Sequence, residues 1–153
     1  MSSHPDMAKR LDQRYGAQPK PHDLRWNDTI DTLLAHRSVR AYLPDALPDG
    51  TVETLVAAAQ SASTSSNLHQ WSVVSVTDRE LRKRIAAASR TGLEDNLYVE
   101  QAPVFLLWVA DLSRNHALAL DAGAEPVVHT YLDAFVMATI DAALAAQNAV
   151  IAA

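Results

Sequence analysis

Five consecutive residues, His36, Arg37, Ser38, Val39 and Arg40, bring two guanidinium groups, a hydroxyl and an imidazole into one short segment. Guanidinium groups make planar, charge-assisted hydrogen bonds to phosphate oxygens, and a dianion offsets the repulsion between neighbouring cations. The segment suits a phosphate ester; the plainer alternative is that Arg37 and Arg40 complement the negative end of a preceding helix. A second cluster, from Ser63 through Thr64, Ser65, Ser66, Asn67, Leu68, His69 and Gln70 to Trp71, is dense in donors and acceptors. Loops between regular elements commonly carry binding groups, and hydroxyls with the Asn67 carboxamide suit the edge of a heterocycle. Its plainer alternative is a Ser/Thr-rich turn with Trp71 in the core.

Other chemistries find little support in the residues. The chain has no Cys, which removes disulfides, thiolate nucleophiles, iron–sulfur clusters and thiolate metal sites. His116 and His129 have no further ligand at metal spacing apart from Asp133, four residues after His129, which reads as a helix-surface pair. No metal site is expected. Neither a GxGxxG, a P-loop nor a nucleophile elbow is present. Asp133 and Asp141 lie roughly on one face of the last predicted helix and read as solvated charges, so no side-chain acid, base or nucleophile is assigned.

The elements that must hold these segments follow from pattern. Asn27 or Asp28 caps a short helix carrying Ile30, Leu33 and Leu34, ending near His36. A second helix carries Val52, Leu55, Val56 and Ala59 at i, i+3, i+4, i+7 and runs into Ser61 to Ser66. The β-branched run Trp71 to Val76 predicts a strand, and Asp78 caps a helix from Arg79 to Ala88. Ala102 to Ala110 lacks polar alternation and predicts a central strand covered on both faces. Pro126 opens a long Ala-rich helical segment to the end, with Tyr131, Leu132, Phe135, Ile140 and Leu144 at helical spacings. Apolar residues cover most of its circumference, which predicts burial in a core or an oligomer interface.

Residues 1–25 are polar, contain Pro5, Pro19 and Pro21, and show no apolar stripe. They predict an N-terminal arm suited to wrapping a partner subunit, followed by one domain over residues 26–153. The chain stops inside an apolar helical pattern at Val150, Ile151, Ala152 and Ala153, an ending that reads as a cut. With 153 residues, 48% of them hydrophobic and 20% charged, a packed single domain is expected. Thirteen Lys and Arg against eighteen Asp and Glu give a net charge of −5, so no basic field invites nucleic acid or an anionic membrane. The longest apolar stretches, Ala102 to Ala110 and Ala142 to Ala153 with Gln147 and Asn148 inside it, are too short to span a bilayer. Met1 to Lys20 has no apolar run of the kind a secretory leader needs, so a cytoplasmic location is expected.

Taken in order, Arg14-Tyr15-Gly16, the basic pentapeptide His36 to Arg40, Ser65-Ser66-Asn67-Leu68, Trp71, Gln101-Ala102-Pro103 and Ala145-Ala146-Gln147-Asn148-Ala149 resemble the nitroreductase family. The likeness is strongest to its NADPH-dependent nitroreductase and flavin reductase branch. It implies an α+β sandwich with a central, mainly antiparallel sheet and a long helix serving both core and dimer interface. The chain then corresponds to the N-terminal portion of that domain and lacks its C-terminal part, where relatives carry a Gly-rich segment, further strands and Lys or Arg residues at the phosphate site. The resemblance implies FMN as cofactor, with His36, Arg37, Ser38 and Arg40 on its phosphate and ribityl chain and Ser65, Ser66 and Asn67 beside its ring. His69, where relatives usually have Gln, and Asn96, where this branch often has Gln, fall at further flavin contacts. The implied activity is ping-pong transfer of hydride from NADPH or NADH to a nitroaromatic, a quinone or a flavin, carried by the flavin rather than by a catalytic side chain. The implied partners are a second copy in a homodimer and a small aromatic electron acceptor. Two other readings stand beside this one: a truncated, non-catalytic remnant that keeps the helical dimer interface with weak or no flavin binding, and an unrelated helical interaction protein.

Overall fold

The computed structural model describes residues 7–21, 23–90 and 96–153, so the first six residues of the arm lie outside it. Two compact units emerge, residues 1–39 and 40–153. In the first, α1 (Met7–Tyr15) packs against α2 (Asp28–Ala35). Within the polar stretch read from sequence as an arm, Met7 to Tyr15 is helical. The residues of α1, rich in Lys, Arg, Gln and Met, are good helix formers, and tertiary contacts complete what propensity begins. Leu11 is buried, and the Arg10 guanidinium forks onto both Asp31 oxygens, with N···O distances of 3.1–3.3 Å. Gly16, at φ +57°, ends α1 in the left-handed region that favours glycine. The α2 start is capped as expected: the Ile30 N–H donates to the Asn27 side chain at 2.9 Å, and His36 closes the helix.

The second unit runs α3 (Thr51–Gln60), β1 (Trp71–Val76), α4 (Arg79–Ala88), α5 (Leu97–Gln101), β2 (Phe105–Ala110), α6 (Ser113–Asp121) and α7 (Leu132–Ala152). β1 and β2 pair antiparallel in the register Trp71↔Ala110 to Val76↔Phe105. This is the mixed helix-and-sheet arrangement expected from the sequence, with its long helix last. α7 packs against α3 and against both strands. The helix begins at Leu132 rather than at Pro126, because a 3₁₀ turn over Val127–Thr130 is followed by an extended Tyr131 (φ −92°, ψ +147°) that interrupts the helical backbone.

Small residues set the core geometry. Ala134, Ala138, Ala142, Ala145 and Ala149 form the buried stripe of α7, and Ala59 on α3 is fully buried opposite part of it. Without bulk at these positions α3 and α7 approach closely, and the Asn148 carboxamide N–H₂ donates to the Ala58 carbonyl at 3.2 Å. Trp71 joins the same cluster, with Trp108 packed against it at a ring-centroid distance of 5.4 Å. Apart from Asp141, only this alanine stripe of α7 is buried: Leu132, Phe135, Val136, Ile140 and Leu144 are exposed in the single chain. The expected two-sided cover of β2 is also not found among the described residues. Its Leu107 and Val109 are 41% and 37% exposed, on the same face as Val74 of β1.

By length and a mean hydropathy of 1.5, α7 meets the requirement for crossing a bilayer, which a count of uninterrupted apolar runs does not reveal. In this fold it is a core helix, because its middle carries a buried Asp141 that accepts hydrogen bonds from loop backbone.

Candidate functional site

The Ser63–Trp71 segment is held from two sides. From within, Asp141 of α7, 1% exposed, accepts the Ser65 N–H at Oδ1 (2.9 Å) and the Gln70 N–H at Oδ2 (3.3 Å). Reading Asp141 as a solvated charge is thereby corrected: it is the lone acid on the buried stripe of an alanine-rich helix, and the loop it anchors is remote in sequence. Asp133, by contrast, is exposed. From the other side, Asn115 of α6 donates to the Leu68 carbonyl at 2.9 Å, and Arg114 donates to the His69 carbonyl. Pattern reading missed both residues, since nothing in the spacing ties α6 to this loop.

Between these anchors the backbone is strained. Ser66, Asn67 and His69 lie at φ +51°, +56° and +47°, a region that costs about 1–2 kcal/mol for a residue with a side chain. Such a conformation persists only where surrounding contacts over-determine it, and here the Asp141, Arg114 and Asn115 hydrogen bonds do so. The result is that Ser66 and Asn67 are presented at the surface while Ser65 is half-buried, its hydroxyl 3.1 Å from the Met137 sulfur. His69 Nε2 lies 3.1 Å from Asn67 Oδ1, which couples the two side chains. The Gln70 carboxamide is fully buried, and neither of its polar atoms has a partner among the described residues. An open cavity of about 610 Å³ adjoins the loop, lined by His69, Trp71 and Ser72 together with Gln60, Arg114 and Asn115.

The loop exit is set by Asp111, just past β2. The Ser113 hydroxyl and N–H and the Ser72 hydroxyl all donate to its carboxylate, and the Asp111 N–H donates to the Gln70 carbonyl at 3.0 Å. The Ser113 hydroxyl foremost, then that of Ser72 and the Ser113 N–H, with Arg114 nearby, lower the Asp111 pKa below its ordinary 3.8. A carboxylate with a depressed folded-state pKa contributes stability above the unfolded value and loses it as pH falls through the folded one. The stability advantage of the parent over Asp111→Asn is therefore expected to hold at neutral pH and to shrink as urea midpoints are measured progressively below pH 3.8. An advantage unchanged down to about pH 2 excludes the Asp111 cluster as its source.

The remaining predicted residues occupy separate places. Asn96, at the entry of α5, donates its carboxamide N–H₂ to the Ser89 carbonyl and to the Ser89 hydroxyl (3.2 Å), and its oxygen accepts no hydrogen bond among the described residues. No hydrogen bond among the described residues joins it to the Ser65–Asn67 loop. Arg40 lies over the Tyr98 ring of α5, 5.9 Å from the centroid. In the 1–39 unit, His36 and Arg37 line a cavity of about 380 Å³ with Arg10, Gln13 and Arg14 of α1, and Ser38 is exposed. Among the described residues no group of His, Asp and Glu is arranged to hold a metal ion.

The model of the Nitroreductase family matches residues 33–153. The chain belongs to this family. An FMN reductase (NADPH) of Bacillus subtilis is 38% identical over 130 residues, a match covering 83% of this chain and 50% of that protein. The oxygen-insensitive NADPH nitroreductase of Salmonella typhimurium is 34% identical, over 82% of this chain and 48% of the relative. Among solved structures, NfrA2 of B. megaterium superposes with a TM-score of 0.77 at 31% identity, over 83% of this chain and 50% of that one. This nitroreductase-family chain thus spans about half the length of the relatives it matches. Its fold is the one the resemblance predicts.

Proposed function

We propose that the chain is part of a cytoplasmic, FMN-dependent NAD(P)H oxidoreductase that reduces nitroaromatics, quinones or flavins and works as a homodimer. The observation that carries this reading is the Ser65–His69 loop, preformed in a strained, outward-presenting conformation inside a chain of the nitroreductase family. The donor set fits FMN. Arg37 makes no hydrogen bond or ion pair among the described residues and, with His36, lines a cavity rich in guanidinium groups, chemistry that matches a phosphate monoester. Ser65, Ser66, Asn67 and His69 would serve the ring, and the carboxamide oxygen of Asn96 would accept from it; Ser38 and Arg40 would complete the phosphate and ribityl contacts. When bound, FMN supplies the redox chemistry, accepting hydride from NADPH or NADH and passing it to the acceptor. This chain's own residues bind and orient, and no side-chain acid or nucleophile is assigned. The homodimer is supported by the exposed Leu132, Phe135, Val136, Ile140 and Leu144 of α7, a continuous apolar surface of the kind subunit interfaces cover.

The test is the visible spectrum of the purified chain after addition of FMN and desalting. Retained flavin that NADPH bleaches supports the proposal. Arg37→Ala removes charge-assisted hydrogen bonds worth about 1.5–3 kcal/mol each, so it is expected to weaken FMN binding roughly 10- to 100-fold with no loss of Tm. A colourless but folded dimer favours instead the non-catalytic reading, a partial domain that keeps the helical interface.

A further inference from the structure

The cavity of about 610 Å³ beside the Leu68–Trp71 segment is walled by α3, β1 and α6, and its size suits a small organic molecule. Val56, Val73 and Trp71 give it an apolar wall. Its polar residues differ in what they have left to offer. The Ser72 hydroxyl is committed to Asp111, and the Asn115 N–H₂ to the Leu68 carbonyl. Arg114 makes one hydrogen bond among the described residues, to the His69 carbonyl, and no ion pair, so most of its guanidinium donors remain available. Asp111, whose charge acts on Arg114, is already engaged by Ser72 and Ser113 and does not line the cavity. Gln60, the last residue of α3, adds an exposed carboxamide, and no Asp or Glu lines the space. Of the residues proposed to hold the flavin, His69 lines this cavity, whereas Arg37, Ser65, Ser66, Asn67 and Asn96 do not.

We propose that this cavity is a second binding site, beside the flavin contacts, for a small aromatic carboxylate whose ring lies against Trp71, Val56 and Val73 and whose carboxylate pairs with Arg114. An apolar wall next to a guanidinium with open donors is the complement of a flat ring carrying an acid, because a carboxylate accepts two parallel N–H bonds from one guanidinium. A neutral amide of the same shape keeps the ring contacts and loses the charge-assisted pair, so the site discriminates an acid from its amide. The site does not depend on the flavin-oxidoreductase reading.

Titration of the full chain, with no flavin added, uses 2-naphthoate and its neutral analogue 2-naphthamide as probes. The expected result is saturable shifts of the Trp71 indole N–H and the Arg114 Nε–H resonances with 2-naphthoate, the Arg37 resonance staying in place, and binding about tenfold weaker for 2-naphthamide. Arg114→Gln should bring the acid down to the affinity of the amide. Because Arg114 also holds the His69 carbonyl, Gln60→Glu supplies an independent check. It leaves that bond intact and sets a like charge beside the ligand, so it should weaken 2-naphthoate by about threefold or more and leave 2-naphthamide unchanged. Equal affinities for acid and amide in the parent, shifts that never saturate, or a response at Arg37 in place of Arg114 overturn the proposal. A preference for the acid that survives Arg114→Gln, or that Gln60→Glu leaves untouched, places the carboxylate elsewhere and overturns it as well. FMN that displaces 2-naphthoate shows one site rather than two, with the same consequence. Saturable 2-naphthoate binding in a chain that retains no flavin upholds this site and removes the flavin reading. Retained FMN with no response to 2-naphthoate removes this site and leaves the flavin reading intact.

Discussion

Replacing Asp141 with Ala is expected to destabilise the 40–153 unit by about 3 kcal/mol and to release the Ser65–Gln70 loop. The carboxylate is 1% exposed and serves as acceptor for two backbone N–H groups, those of Ser65 and Gln70. A hydrogen bond to a charged group contributes about 1.5–3 kcal/mol, and a buried donor left without an acceptor loses its hydration as well. The loop has no alternative partner in reserve, since its left-handed residues already hold a conformation that costs energy. Asp141→Asn keeps the volume and one acceptor oxygen but turns an amide N–H₂ toward one of the two donors, so it should lose about half as much. Urea denaturation reads the cost as a lower midpoint at unchanged slope, and hydrogen exchange locates it at the Ser65 and Gln70 amides. A variant within about 0.5 kcal/mol of the parent, with both amides still protected, would show that the carboxylate does not hold the loop.

Trp71→Ala is expected to cost about 3–5 kcal/mol, a large share of the stability of an ordinary domain. Trp71 opens β1 directly after the loop, is 7% exposed, and fills the space that the small side chains of Ala59, Ala142, Ala145 and Ala149 leave between α3, α7 and the sheet. Few large side chains share the task, so the cavity cannot be refilled by a neighbour, and Trp108 loses its ring contact. The expected outcome is a loss of near-ultraviolet circular dichroism and of cooperative unfolding. Trp71→Phe isolates the cause. The indole N–H is buried without a partner among the described residues, so removing it offsets part of the lost packing, and the variant should cost about 1 kcal/mol. Equal losses from Ala and Phe would show that an aromatic ring filling part of this space does not carry the stability.

How much of this was legible beforehand depends on the range of the interaction involved. Patterns that are local in sequence read correctly: the α2 cap, narrowed by sequence to Asn27 or Asp28 and found at Asn27, the Asp78 cap, the spacing of apolar residues on α3, the β-branched run of β1 and the span of α4 are all set by interactions within a few residues. The residue types of the basic pentapeptide and of the Ser-Ser-Asn loop carried the family resemblance for the same reason, since their chemistry is in their identities. Tertiary structure decided what distance in the chain conceals. Whether Asp141 is solvated or buried depends on a loop more than seventy residues earlier folding over it. The left-handed turn at Ser66, Asn67 and His69 has no glycine to announce it, because anchors from α6 and α7 rather than local propensity impose it. On α7 the apolar residues surround the helix in sequence, and only packing selects the alanine stripe for burial, because small side chains let α3 and the sheet approach where Phe135 or Ile140 would hold them apart.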